Sequence, residues 1–174
     1  MIINILYASG VLFYSKSVDN TIYFLLGKDI DSKWSDFGGG CELSDKGDTE
    51  ITAVREAWEE TLGSVYDYDV LRQVIKSSNI ISSRTPSGKP YYMYLVNIPF
   101  IQTYREKFIC NKKFLSRINV EKKFLEINDI KWVSLNTIEN SLENKRPIIK
   151  LRNIFEKSLK QDLTSIVKLI NNSN

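Results

Sequence analysis

The sequence predicts an α/β (α+β) fold, and two observations support this. Short β-branched and aromatic runs bounded by turn residues dominate the first forty residues, whereas helical periodicity appears in the middle and near the C-terminal end. With 174 residues, 43% of them apolar, the chain is long enough to bury a substantial core. We therefore expect residues 1–174 to form a single layered domain in which helices cover a sheet.

The strands begin with a hairpin. The apolar run Val11 to Tyr14 and the β-branched run Thr21 to Leu26 flank the turn residues Asp19 and Asn20. Further strands are predicted over residues 70–75, 91–98 and 130–133, with a loop over residues 82–90.

Three helices complete the prediction. The first runs from about Thr49 to Leu62, because Asp48 or Thr49 can cap it and Gly63 can end it. Residues 104–118 favour a second helix. Pro147 can open a long amphipathic C-terminal helix over about residues 147–170, whose apolar face holds Ile148, Leu151, Ile154, Phe155, Leu159 and Leu163.

Composition excludes several kinds of chemistry. The sequence has no histidine, so neither a Ser-His-Asp or Cys-His mechanism nor a histidine-ligated zinc is available. Cys41 and Cys110 are too few for a thiolate zinc site; they fit a reduced cytoplasmic protein, although a single bridge between them stays open. We expect no signal peptide at residues 1–7 and no membrane-spanning helix.

Charge is unevenly spread along the chain. Residues 1–70 hold 5 basic and 13 acidic residues, a net charge of −8, whereas residues 71–174 hold 19 basic and 8 acidic residues, a net charge of +11. The asymmetry favours a cation-binding region beside a surface that meets anions. Two solvated faces without partners explain it equally well.

The predicted helix at Thr49 carries the most informative pattern. At about 100° per residue, its apolar and acidic side chains fall on sectors roughly 150° apart. The apolar set is Ile51, Val54, Trp58 and Leu62, and the acidic set is Glu56, Glu59 and Glu60. Like charges at this spacing destabilise a helix, and a bound divalent cation would offset that cost. Carboxylates are hard oxygen ligands for such cations, so the pattern indicates a metal site. The alternative, which the three glutamates taken alone favour, is a solvated acidic face with Arg55 paired to Glu59.

The glycines before this helix strengthen the metal interpretation. Together, Gly38-Gly39-Gly40-Cys41-Glu42, Arg55-Glu56-Ala57-Trp58-Glu59-Glu60 and Gly63 resemble the signature of the Nudix hydrolases, G-x5-E-x7-R-E-U-x-E-E-x-G-U with U a bulky apolar residue. Ser9 to Val11, Tyr23 to Gly27 and Glu126 to Val133 resemble flanking strands of that family.

The resemblance is irregular around the helix. Eight residues rather than five separate Gly39 from Asp48, which stands where the signature has glutamate, and six rather than seven separate Asp48 from Arg55. Two residues precede Gly63 instead of one, and Ser64 replaces an apolar residue. The acidic set itself is unchanged.

The resemblance implies an α/β/α sandwich with a mixed sheet and a reaction: metal-dependent hydrolysis of a nucleoside diphosphate linked to another moiety. It implies that Glu56, Glu59 and Glu60, with the carbonyl of Gly39, bind Mg²⁺ or Mn²⁺, and that Glu59 and Arg55 serve catalysis, Arg55 by orienting a neighbouring glutamate.

The general base and the substrate contacts are less determined by the resemblance. Glu126 best matches a late family glutamate that acts as base, with Glu121 or a glutamate of the helix as alternatives. Candidate substrate contacts lie in basic or aromatic segments that can ring the site: Lys28, Trp34, Arg84 and Tyr92.

Three other functions stay open. The basic C-terminal half favours RNA, so cleavage of an RNA 5′ cap, or of a diphosphoinositol polyphosphate, is an alternative substrate class. A non-catalytic binding module with the same fold is a second possibility. A partner-binding protein that uses its C-terminal helix is a third, and a homodimer is left open.

Overall fold

The computed structural model describes residues 7–85 and 87–173 and shows a seven-stranded mixed sheet with helices on both faces. This confirms the predicted α/β/α sandwich. Residues 1–6, which fall within the stretch where we expect no signal peptide, lie outside the described residues. The strands β1 to β7 span Ala8–Lys16, Ile22–Asp29, Trp34–Ser35, Phe37–Gly40, Asn79–Arg84, Pro90–Asn97 and Ile127–Ser134. The helices α1 to α5 span Thr49–Thr61, Tyr68–Val74, Thr103–Leu115, Leu135–Glu143 and Asn153–Asn172.

The predicted β1–β2 hairpin is present but pairs only near its turn. Phe13 lies opposite Leu25, and Asn20 takes a positive φ of 64° in the connection. Beyond this point β4 pairs with β1, with Gly38 opposite Gly10, and β3 pairs with β2. The two short strands therefore place residues 34–35 beside β2 and residues 37–40, including the glycines, beside β1.

The remaining strands extend the sheet in both directions. β6 runs parallel to β1, β7 runs antiparallel to β2, and β5 is the outermost strand beside β6. The loop predicted over residues 82–90 is wrong at both ends. Residues 82–84 belong to β5, and Pro90 begins β6 and lies opposite Arg84. Only residues 85–89 connect the two strands, and Pro86 among them is outside the described residues.

The sheet separates two apolar clusters. The cluster under α4 and α5 includes Leu12, Phe24, Met93, Ile138, Phe155 and Leu159. The cluster under α1, α2 and α3 includes Val11, Phe37, Val54, Ala57, Leu71 and Phe108. Alternate residues of β1 point to opposite clusters, as the two-residue period of a strand requires.

Helix α1 begins and ends close to its predicted limits. The Asp48 carboxylate caps its start by accepting from the backbone N–H groups of Glu50 and Ile51. At its end Leu62 has a φ of 54° and Gly63 a φ of 64°, so two successive left-handed residues stop the helix.

The strand predicted over residues 70–75 is wrong. This stretch lies in α2 and the 3₁₀ turn Ile75–Ser77, and the Asp67 carboxylate caps α2 by accepting from Val70 N–H. Leu71 and Ile75 are both buried, one helical turn apart. The local β-propensity therefore yields to a helix cap and to packing on one face.

The C-terminal helix begins at Asn153, six residues after Pro147. The backbone of residues 150–152 pairs instead with Trp34, which donates to Lys150 O and accepts from Arg152 N–H. Of the predicted apolar face, Phe155 and Leu159 are buried, whereas Ile148 is exposed outside the helix.

Two further expectations concern compartment. Across residues 7–85 and 87–173, no helix is both long and apolar enough to cross a membrane. The bridge that the sequence left open is not formed: both thiols are free, with Cys41 buried and Cys110 exposed.

Candidate active site

The acidic side of α1 faces into the protein, which differs from the open face that the helical wheel suggests. Glu59 and Glu60 are only 5% and 6% exposed, and Glu56 is half-buried. Ile51 and Trp58, assigned to the apolar sector, are themselves only half-buried, while Ala53 and Ala57 contact the core. Small alanines let α1 approach the sheet closely, so the carboxylates of Glu56 and Glu60 contact strand β4.

Glu60 lies deepest and has the fewest partners. Its Oε2 accepts from Gly38 N–H at 2.8 Å, and among the described residues no cationic group lies within ion-pairing distance. Burial raises the pKa of Glu60 well above its usual value, and the negative charges of Glu56 and Asp36 raise it further. A buried carboxylate in this setting favours a bound cation or a proton.

Glu56 rests directly on Gly39. A Cβ at Gly39 would lie 2.6–2.7 Å from the Glu56 carboxylate, so only glycine leaves room for this contact. Arg55 Nη1 donates to Glu56 Oε1 at 2.8 Å. Burial raises the pKa of Glu56 to about 7 despite this arginine.

Glu59 is held between two cationic groups. Arg55 Nη1 donates to its Oε2 at 3.4 Å, and the ammonium of Lys123 lies 2.8 Å from its Oε1. Lys123 belongs to the 3₁₀ turn Lys122–Leu125, which contacts α1. The three glutamates thus share one side of α1 but have different partners.

Arg55 is anchored by a residue that the sequence analysis overlooked. Its Nε and Nη2 donate to the two oxygens of Asp45 at 2.9 Å each, and Nη2 also donates to Gly40 O. Burial opposes ionisation of Asp45, but hydrogen bonds from Arg55, Glu42 N–H and Thr52 outweigh it and lower its pKa. Asp45 is therefore an ionised, buried partner that fixes the guanidinium.

Spacing could have identified Asp45. Five residues separate it from Gly39, which is the interval in the signature, and the departure is then an insertion between Asp45 and Arg55. Asp48, which the sequence analysis placed at this position, is the cap of α1 instead.

Asp36, which directly precedes the glycine strand, is also buried. Asp36 accepts from the Tyr91 hydroxyl at 2.5 Å and from Ser35 Oγ at 2.7 Å. The Tyr91 hydroxyl fits between Gly10 and Gly38, where a Cβ on either glycine would approach it to 2.4–2.5 Å. Burial raises the pKa of Asp36, which its hydrogen bonds only partly offset. No sequence signal pointed to Asp36.

The two late glutamates occupy different positions. Glu126 is exposed at the end of the Lys122–Leu125 turn, and no described hydrogen bond or ion pair joins it to α1. Glu121 is also exposed, but its Oε2 lies 3.7 Å from the Lys123 ammonium that contacts Glu59. The structure therefore links Glu121 to Glu59 through Lys123.

The four proposed substrate contacts form two separate groups. The Lys28 ammonium lies 5.9 Å from the centre of the Trp34 ring, and Lys131, which the sequence analysis did not name, lies 4.3 Å from it. Arg84 and Tyr92 instead line a cavity of about 440 Å³ at the outer edge of the sheet. Only the Trp34 group is close in sequence to Asp36 and the glycine strand.

The donor chemistry of the region fits a hard divalent cation. It offers only oxygen ligands, and one of them, Glu60, is buried without a cationic partner among the described residues. As the side chains stand, the described part of the chain contains no group of three or more His, Cys, Asp or Glu residues that could hold a metal ion. Glu59 is turned to Arg55 and Lys123 rather than to a shared centre.

Comparison with solved structures identifies the fold. A Nudix hydrolase from M. smegmatis, RenU, superposes with a TM-score of 0.53 at 13% identity, over 95% of this chain and 90% of its own. The Bacillus subtilis pyrophosphohydrolase BsRppH, crystallised as a mutant, gives 0.54 at 16% identity, over 99% and 85%. No protein-family model and no curated protein matches the sequence. The chain has the fold of the Nudix hydrolases.

Proposed function

We propose that the chain is a divalent-metal-dependent pyrophosphohydrolase that cleaves a nucleoside diphosphate linked to another moiety. The observation that carries this proposal is the burial of Glu59 and Glu60 on the side of α1 that also holds Glu56. Glu60 accepts from Gly38 N–H, and Glu56 packs on Gly39. Burying several carboxylates on one helix is costly, and a cation that binds them offsets that cost. The Bacillus neighbour is described as a pyrophosphohydrolase, which agrees with this reaction.

The metal would be Mg²⁺ or Mn²⁺, held by Glu56, Glu59 and Glu60 with the carbonyl of Gly39. When bound, such an ion neutralises phosphate charge and lowers the pKa of a water ligand. Arg55 acts through its neighbours, because its guanidinium contacts Glu56 and Glu59 while Asp45 fixes it in place. We assign Arg55 the task of orienting these carboxylates.

The phosphates of the substrate would meet the group around Trp34. Lys28 and Lys131 both lie near its ring, and no described acidic side chain forms an ion pair with either. Two ammonium groups in this position favour an anion. Arg84 and Tyr92 stay secondary candidates at the sheet edge, and the general base is Glu126, Glu121 or a glutamate of α1.

The alternative functions that the sequence leaves open involve either a different substrate or no catalysis. Capped RNA and diphosphoinositol polyphosphates need the same reaction but different contacts. A binding module would keep the fold without hydrolysis. Partner binding through α5 is less favoured, because Phe155, Leu159, Ile166 and Ile170 are already buried within the domain. A cytoplasmic location and a homodimer stay predictions.

A hydrolysis panel tests the proposal. The chain is assayed with Mg²⁺ and with Mn²⁺ against nucleoside diphosphates linked to sugars or nucleosides, capped RNA and diphosphoinositol polyphosphates. We expect metal-dependent cleavage of the first group. Cleavage of capped RNA alone would favour the RNA alternative, and no cleavage of any compound would leave the binding module.

A further inference from the structure

The Lys123 ammonium contacts Glu59, one of the carboxylates that we propose to bind the metal. Its Nζ lies 2.8 Å from Glu59 Oε1, and the Glu59 side chain is only 7% exposed while that of Lys123 is 30% exposed. Glu59 Oε2 also accepts a hydrogen bond from Arg55 Nη1, so both carboxylate oxygens of Glu59 contact cationic groups. Glu60 on the same side of the helix has no such partner among the described residues.

The chain builds Lys123 into this position. The Phe124 ring packs edge-to-face on Trp58 of α1, with ring centres 6.1 Å apart, and so fastens the Lys122–Leu125 turn beside Glu59. The Lys123 ammonium lies 5.5 Å from the centre of the Phe124 ring and 3.7 Å from Glu121 Oε2. An aromatic face and a second carboxylate thus surround the ammonium on its outer side.

We propose that Lys123 is an internal counter-ion for Glu59 that must leave before this glutamate can bind a divalent cation. The inference rests on the proposed function, because it takes Glu59 as a metal ligand. An ammonium and a metal ion cannot share one carboxylate oxygen without strong repulsion between like charges. Lys123 therefore lowers the affinity for the metal and makes binding depend on movement of the Lys122–Leu125 turn.

The same competition operates in the opposite direction. If Lys123 opposes the metal, the metal must release Lys123, because the coupling between two binding events is reciprocal. Metal binding then loosens the turn, whose attachment to α1 is left to Phe124. This consequence gives a second measurement that needs no substituted residue.

The first test compares Lys123→Met with Lys122→Met. Methionine keeps an unbranched apolar side chain but removes the charge, and Lys122 is an exposed neighbour in the same turn. Binding of Mn²⁺ alone is measured by electron paramagnetic resonance, without substrate. We expect the dissociation constant to fall about tenfold for Lys123→Met and to change less than about twofold for Lys122→Met. Lys123→Arg, which keeps the charge, should bind Mn²⁺ as the native chain does.

An unchanged or weaker affinity in Lys123→Met would overturn the inference, as would the absence of Mn²⁺ binding in both chains. If Lys123→Met does not fold, hydrogen exchange on the native chain decides. Addition of Mg²⁺ should speed exchange over residues 121–125, and unchanged or slower exchange there contradicts the proposal. Neither measurement involves hydrolysis, so the two proposals can fail separately. If the native chain cleaves no diphosphate but Lys123→Met binds Mn²⁺ more tightly, the proposed function is refuted and the role of Lys123 is supported.

Discussion

Helices α1 and α5 cover opposite faces of one sheet, yet they bury different kinds of side chain. The buried side chains of α5 are apolar apart from Ser158: Phe155, Leu159, Ile166 and Ile170. The buried side of α1 adds charged groups to Ala53, Val54 and Ala57, namely Arg55, Glu59 and Glu60.

This difference separates structure from function within the fold. An apolar face needs no specific partner, whereas a buried charge costs free energy unless it is paired. In α1, Asp45 satisfies Arg55, but Glu60 accepts only one backbone hydrogen bond among the described contacts. A buried carboxylate with so few partners indicates a functional role for Glu60, because selection for stability alone would favour an apolar residue at this position.

The largest expected effect tests the charged side of α1. Glu59→Gln should lower kcat by about 10²–10³-fold, because it removes the charge of a proposed metal ligand. The free energy of unfolding should change little, since the relief of repulsion with Glu56 and Glu60 offsets the loss of the ion pairs with Lys123 and Arg55. Metal-dependent hydrolysis and urea unfolding measure the two quantities.

The control for Glu59→Gln is Glu50→Gln, in the first turn of the same helix. Its side chain has no ion pair among the described contacts, and it should keep native activity. A Glu59→Gln chain that is active but unfolds easily would reverse the contrast between the two helices.

The matching change in α5 should affect stability and leave the chemistry alone. Phe155 is 1% exposed, so Phe155→Ala should lower the free energy of unfolding by about 3–5 kcal/mol through lost burial and a residual cavity. Ile148→Ala, at a 73% exposed position, should change it by less than about 0.5 kcal/mol. Urea unfolding checks both, and kcat per folded molecule should stay at the native value.

Breaking the ion pair beneath α1 should cost slightly less. Asp45→Asn removes the carboxylate that binds both Nε and Nη2 of the mostly buried Arg55, for which we expect a loss of about 3 kcal/mol. An equal stability of variant and native chain in urea at neutral pH would show that the remaining ion pairs of Arg55 with Glu56 and Glu59 are sufficient.

The pH dependence of this loss gives a further check. The pKa of Asp45 is lowered below its ordinary value of 3.8, because its hydrogen bonds to Arg55, Glu42 N–H and Thr52 outweigh burial. Its ionised form therefore stabilises the fold above pH 3.8, and that contribution is lost as the pH falls through the lower pKa of the folded state. The difference between native chain and Asp45→Asn should shrink in unfolding curves taken below pH 3.8.

The smallest effect is expected at Gly39. Gly39→Ala would place a methyl group 2.6–2.7 Å from the Glu56 carboxylate, which can move because it is the end of a flexible side chain. We expect kcat to fall about tenfold, equivalent to about 1.4 kcal/mol, and the weaker metal binding to appear in a Mn²⁺ titration. Native kcat and native metal affinity together would show that Glu56 does not need this position.

Elements with strong local signals were predictable from the sequence. The hairpin β1–β2 and helix α1 carry turn residues and caps that few other conformations satisfy. The strand predicted over residues 70–75 was wrong because Val70, Leu71 and Ile75 in isolation fit a strand as well as a helix. The Asp67 cap favours the helix. Local propensity is a weak guide where the pattern is short.

The site was predictable as far as its residues are adjacent in sequence. Glu56, Glu59 and Glu60 lie within five residues, so one helix brings them together. Lys123, Asp36 and Tyr91 reach the site through tertiary contacts that no local pattern encodes. Helical periodicity places the carboxylates opposite the apolar sector, but it cannot show that β4 inserts beside β1 and contacts Glu56 and Glu60.

The backbone contact of Trp34 with residues 150–152 also bears on solubility. Strand β3 is two residues long, and it pairs with β2 on one side and with Leu151 on the other. The chain thereby occupies a free strand edge with its own backbone, which denies that edge to other molecules. A chain shortened to end before Ile149 would expose these backbone groups and the apolar cluster that α5 covers. We therefore expect the shortened chain to aggregate.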